Sequence, residues 1–242
     1  MPIYLPSWGQ NRIYAYLLYA NAAMFGLCIL MDPFHVNITW NPFQFLTPSD
    51  RVLVMMGATG TLPIDRLHRW WSLLAANYLH GGLMHLLFNM AALRQLVYLV
   101  VDAFGPARMI VIFTSSGIIG FLVSYYAGIV LTIGASAGLC GLMGACLSLA
   151  LQVGGDEGRL LLRQIGAWAI GIFIFGLLVP GINNWGHAGG MAGGYLLAWL
   201  TGHRMQRPES IIETGLAWIC IGMTGITLFY AVISTLLYRL GE

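Results

Sequence analysis

Between Arg108 and Asp156 the chain carries no Asp, Glu, Lys or Arg. That uncharged run, residues 109–155, is more than twice the roughly 20 residues with which a helix crosses a bilayer, so it holds two spanning helices joined by a break. Gly134-Ala135-Ser136-Ala137-Gly138 marks the break and places Ser136 in the first turn of the second helix. A helix N-terminus there offers N–H groups with no intrahelical acceptor to a developing negative charge. The rest of the chain matches this segment. With 58% apolar and 8% charged residues and a mean hydropathy of +0.77, it is an all-α integral membrane protein rather than a soluble domain. Its 11 basic residues are all Arg, and the net charge of +2 is too small and too dispersed for nucleic-acid binding.

Apolar runs predict seven spans, at 13–31, 83–101, 109–130, 136–153, 160–179, 185–200 and 214–237. The first follows a short N-terminal stretch with one Arg and no small-residue cleavage site, so it reads as a retained helix. The expected organisation is a short cytoplasmic segment (1–12), a six-helix core (13–202), then a linker and an extra C-terminal helix (203–242). The core includes an interfacial loop at 32–69, where Pro33, Pro42, Pro48 and Pro63 oppose regular structure. Trp40, Phe43, Phe45, Trp70 and Trp71 suit an interface belt, and 52–56 reads as a short interfacial helix. Arg12, Arg108, Arg159, Arg163, Arg204 and Arg207, with Arg94 snorkelling, gather on one side, and Arg51, Arg66, Arg69 and Arg239 on the other. The bias predicts a cytoplasmic N-terminus and places Ser136, His80 and His187 near the outer face. Asn37-Ile38-Thr39 matches a glycosylation acceptor, relevant only in a eukaryotic secretory setting. Cys28, Cys140, Cys146 and Cys220 lie in apolar segments and read as small core residues.

Polar side chains in membrane helices are costly and face a cavity or a partner. A single Ser136 is weak evidence, because membrane serines commonly bond their own helix. His187 opens a segment in which Gly186, Gly190 and Gly194 recur every four residues, and Ala137, Gly141, Ala145 and Ser148 form a similar stripe after Ser136. Stripes of small residues let helix backbones approach closely. If these two faces pack together, Ser136 and His187 meet as nucleophile and general base; otherwise both are ordinary packing faces. His85 and Asn89, four apart, project from one face of the second span and could supply oxyanion-hole donors beside the Ser136 backbone N–H. His80, at the loop–helix junction, is expected to be structural, bonding backbone there.

These residues resemble the motifs of the rhomboid intramembrane serine proteases. The family's Gly-x-Ser is matched by Gly134-Ala135-Ser136, its His-x4-His-x3-Asn by His80, His85 and Asn89, and its His-x-x-Gly-x3-Gly by His187, Gly190 and Gly194. The resemblance extends over about 70–200, and the seventh helix is similar to the six-plus-one form. It implies a rhomboid-like bundle in which a Ser136–His187 dyad cleaves peptide bonds in or near transmembrane helices. Its oxyanion hole would come from His85, Asn89 and the Ser136 N–H, and Gly134, Gly138, Gly141, Gly190 and Gly194 would be structural near the site. There are three departures. Ala137 stands where the family usually has Gly; Ser72 follows Trp71 where it usually has Arg; and Val101 and Asp102 stand near its usual acidic position.

No carboxylate lies between Asp102 and Asp156, or between Glu157 and Glu209, which favours a dyad over a triad and excludes a paired-aspartate intramembrane protease. No His-Glu-x-x-His occurs to bind zinc, and neither a cofactor nor a metal is expected. The expected partners are transmembrane protein substrates and the lipid bilayer, in a plasma or inner membrane with the site opening to the extracytoplasmic side. Two other readings stand beside this one. A catalytically inactive rhomboid-like protein would bind membrane helices for quality control, and haem or metal could be held by His80, His85 and His187.

Overall fold

The computed structural model describes residues 8–202 and 208–241. Seven long helices carry the fold: α1 (Trp8–Met31), α2 (Leu83–Phe104), α3 (Pro106–Tyr126), α4 (Ser136–Val153), α5 (Gly155–Leu178), α6 (Asn184–Thr201) and α7 (Ile211–Leu240). Among the described residues there is no named strand, only two isolated bridges, Asn37 with Thr47 and Thr59 with Thr132. The all-α membrane architecture read from the apolar runs is the one observed. Six of the helices are long and apolar enough to cross a membrane. α6 is the exception, because Asn184, His187 and five glycines among its 18 residues lower its hydropathy.

The helix ends differ from the expected spans for identifiable reasons. α3 starts at Pro106, where a fixed φ suits the first helical position. It stops at Tyr126, short of the expected 130, because the next residues bond the interfacial loop instead. Thr61 N–H donates to Ile129 O at 2.9 Å, while Thr59 and Thr132 exchange bonds of 3.0 and 2.7 Å. α5 begins before 160 because Asp156 and Glu157 favour the positive end of its dipole. α7 begins before 214 on a capping box in which Ser210 and Glu213 satisfy each other's backbone. In the loop, the short interfacial helix runs Asp50–Met55, capped by Ser49.

The seven helices are unequally embedded. Of the apolar stretch in α4, 72% is buried within the protein, against 11% in α5 and in α7. α4 is the centre because α3 and α6 reach its backbone through small residues. A Cβ added to Gly190 would overlap the Ala137 carbonyl, and one on Gly194 would overlap the backbone of Gly141. On α3, a Cβ on Gly120 would collide with the Gly186 carbonyl of α6.

α7 is fastened at its ends. Near its start the fully buried Arg108 donates from Nε to Glu213 Oε1 at 2.8 Å and from Nη2 to Glu213 Oε2 at 3.2 Å. The Arg108 N–H also donates to Glu209 Oε1 at 2.9 Å. Near its finish Arg239 Nη2 donates to Asp32 Oδ1 at 3.0 Å. Burial opposes ionisation of Asp32. Hydrogen bonds with His35 and Ser49 and the charges of His35 and Arg239 outweigh it, holding the carboxyl below its ordinary value.

Candidate active site

Ser136 is aimed by the turn that precedes it. Gly134 adopts φ +125°, a conformation that disfavours a side chain. Its N–H donates to Ala76 O at 2.9 Å, tying the start of α4 to the segment that leads to His80. Ala135 then takes the N-cap position of α4 without any side-chain cap. The N–H groups of the first turn therefore have no intrahelical acceptor and surround the half-buried Ser136.

His187 is set by a separate device. Asn183 caps α6, accepting at Oδ1 from Gly186 N–H at 3.0 Å. Its Nδ2 donates to Ser124 Oγ at 2.7 Å and to Thr132 Oγ1 at 3.0 Å. This amide thus ties the start of α6 to the end of α3 and to the loop beyond. One turn into α6, His187 brings Nε2 to 2.9 Å from Ser136 Oγ, across 51 positions of chain. Its ring is buried, and Nδ1 meets no hydrogen-bond partner. With the proton on Nδ1, Nε2 is free to accept the Ser136 O–H. The two stripes are therefore more than packing faces: the contact they allow joins the hydroxyl to the imidazole.

Of the other expected site residues, His85 lies at this junction. A Cβ on Gly134 would fall 2.8 Å from His85 Nε2 and 3.6 Å from Ser136 Oγ. Its Nδ1 faces the Gly81 N–H at 3.3 Å, so the ring is held from the loop side. Asn89 is buried on the same face but donates from Nδ2 to the His85 carbonyl at 2.8 Å, a bond within its own helix. Among the described residues, no hydrogen bond joins Asn89 to Ser136. His80 was expected to be structural, at the junction of the loop and α2. Its ring lies beside the Tyr78 backbone. It is fully buried and packs edge-on against His85, with ring centroids 5.0 Å apart. Among the described residues, no group of three or more His, Cys, Asp or Glu is placed to hold a metal ion.

The glycines named from the sequence are close-approach positions. A Cβ on Gly138 would meet the Phe113 ring at 2.8 Å, and one on Gly141 would overlap the Ser116 side chain. Two departures from the family pattern are locally accommodated. Ala137 is buried with Phe121, its methyl facing Gly120. Ser72 donates to Thr59 Oγ1 at 2.9 Å, and Arg69 donates to Val54 O at 2.9 Å, so the loop is anchored without the usual Trp-Arg pair. Sequence reasoning missed Asn183 as a positioning residue. Its signal was present, an Asn at the N-cap just before the glycine-rich helix, but its bonds to Ser124 and Thr132 leave no pattern.

The Rhomboid domain family matches residues 67–204, which include Ser136, His187, His80, His85 and Asn89. The chain belongs to the rhomboid family. α1 and α7 lie outside the matched rhomboid region. Rhomboid protease GluP of Bacillus subtilis is 37% identical over 133 residues, covering 53% of this chain and 25% of that protein. RHOMBOID-like protein 7 of Arabidopsis thaliana is 32% identical over 159 residues, covering 64% of this chain and 50% of that protein. Inactive RHOMBOID-like protein 8 of the same plant is 31% identical over 160 residues, covering 64% of this chain and 44% of that protein. The chain thus spans half or less of these relatives, and both proteases and a protein named inactive are rhomboids of similar identity to it.

Proposed function

We propose that this multi-pass rhomboid is an intramembrane serine endopeptidase that cuts peptide bonds in or near the transmembrane helices of other membrane proteins. The observation that carries the reading is the 2.9 Å approach of His187 Nε2 to Ser136 Oγ at the uncapped start of α4. Neutral His187 takes the Ser136 proton as Oγ attacks the peptide carbonyl. The protonated ring then gives that proton to the leaving amine, and an acyl-enzyme remains. Water, deprotonated by His187, attacks the ester, and Oγ regains its proton as the acid departs.

The oxyanion is held by the Ser136 N–H and His85, with Asn89 as the further donor once it releases the His85 carbonyl. In this reading His187 works without a carboxylate: its place is set by α6, whose start Asn183 ties to Ser124 and Thr132. The bundle 13–202 is the catalytic unit, and 203–242 adds the linker and seventh helix. The arginine bias supports a cytoplasmic N-terminus and a site opening on the extracytoplasmic side of a plasma or inner membrane. α5, only 11% buried, is the wall through which a substrate helix would approach. That helix must unwind locally, which favours helix-weakening residues at the cut.

Similarity to an inactive relative gives the competing reading, a rhomboid that binds membrane helices without cutting them. A fluorophosphonate probe separates the two in detergent-solubilised protein. Wild type is expected to label and to cleave a reporter transmembrane substrate. Ser136→Ala and His187→Ala are expected to do neither while keeping the wild-type melting temperature. Cleavage at the same bond by Ser136→Ala would refute the mechanism, and an unlabelled, inactive wild type would favour the binding role.

A further inference from the structure

At the end of the bundle where α7 finishes, a cavity of about 630 Å3 opens between the interfacial loop, the segment after α3 and the last turns of α7. None of its lining residues belongs to the Ser136–His187 site. Its walls are apolar, with Val54, Met55, Leu62, Leu67 and Val130 among them. Leu62, Leu67 and Val130 are 42%, 44% and 61% exposed. Such exposure is unfavourable against water but suits an acyl chain. The volume is that of a ligand site for an amphiphile rather than for a single ion.

The polar lining is cationic on balance, with Arg51 and Arg69 against Asp50. Both guanidinium groups are held in place. Arg69 donates to the Val54 carbonyl at 2.9 Å and lies 6.0 Å from the Trp71 ring centroid. Arg51 donates to the Tyr238 hydroxyl at 3.4 Å and lies 5.5 Å from that ring's centroid. A guanidinium carries five N–H donors in a fixed fork that matches phosphate oxygens in pairs. Two of them over an apolar trough, at the end of a membrane bundle, select a phosphate that is attached to a hydrocarbon chain.

We propose that this cavity binds one anionic phospholipid, its phosphate at Arg51 and Arg69 and an acyl chain along Val54, Leu62 and Val130, so that the lipid bridges the loop to α7. The test adds phosphatidylglycerol or phosphatidylcholine to the full chain in detergent and reads melting temperature and lipid retained in native mass spectrometry. Phosphatidylglycerol is expected to raise the wild-type melting temperature and to stay bound. Retention should fall at least tenfold in the Arg51→Gln/Arg69→Gln double variant and remain unchanged in Arg159→Gln, which alters an exposed arginine at the opposite end. Should the double variant not fold, Val130→Trp serves in its place. It fills the trough, keeps both arginines and is expected to lose the lipid. Soluble glycerol 3-phosphate should leave the melting temperature unchanged. Equal retention of the two lipids, full retention in the double variant or in Val130→Trp, equal loss in Arg159→Gln, or a full shift with glycerol 3-phosphate would each overturn the proposal.

Discussion

α4 and α7 are both long apolar helices, yet they are held by opposite means. α4 is 72% buried and meets α3 and α6 where small residues bring backbones together. α7 is 11% buried, a Cβ added to Gly215, Gly222 or Gly225 would meet no neighbouring element within 4 Å, and charged groups fasten it at both ends. Lipid tails solvate apolar side chains as well as a neighbouring helix does, so apolarity alone does not hold membrane helices together. Close packing is one remedy and polar contact is another. The site lies where the first is used.

The sharpest way to break this contrast is to put one substitution in both regions. Gly194→Leu forces a side chain into the Gly141 backbone, at a cost of more than about 3 kcal/mol, and should leave no folded, active protein. Gly222→Leu should stay within about 0.5 kcal/mol of wild type in thermal unfolding. If both variants melt alike, the contrast fails.

Next comes the lock at the start of α7. Arg108→Gln leaves Glu213 buried without its partner and should destabilise by about 3–5 kcal/mol, measured by thermal unfolding in detergent. Fluorophosphonate labelling of Ser136 below the melting transition should persist, because the α4–α6 contact is untouched. Loss of labelling in a still-folded Arg108→Gln protein would show that the two regions are coupled.

Inside the core, His85→Ala should separate chemistry from packing. On the proposed mechanism His85 is an oxyanion donor, so its loss should lower kcat by about 10²–10³-fold, with KM little changed. A fall in melting temperature as large as that of Arg108→Gln would instead make His85 a packing residue.

The smallest effect concerns the far lock. The folded-state pKa of Asp32 is depressed, so its contribution is fully present above its unfolded pKa, near 4, and is lost as pH falls through the lower folded value. The gap in melting temperature between wild type and Asp32→Asn should be constant at neutral pH and close under acid. A gap that widened on acidification would contradict the depressed pKa.

Much of this fold was legible because bilayer thickness imposes a length on apolar runs, and each of the seven runs corresponds to a helix. The meeting of Ser136 with His187 was legible too, since glycines repeated every four residues mark where backbones touch. Polar contacts across long stretches of chain left no trace. Arg108 and Glu213 lie 105 positions apart with nothing periodic between them. The end of α3 was misjudged because apolar sequence continues past Tyr126, while the hydrogen bonds that end the helix come from Thr59 and Thr61.

Where α4 and α6 touch main chain to main chain, no rotatable bond intervenes between the two platforms. The spacing of the backbones that carry Ser136 and His187 is therefore inherited from peptide geometry, and a side-chain rearrangement elsewhere in the bundle has no lever with which to retune it.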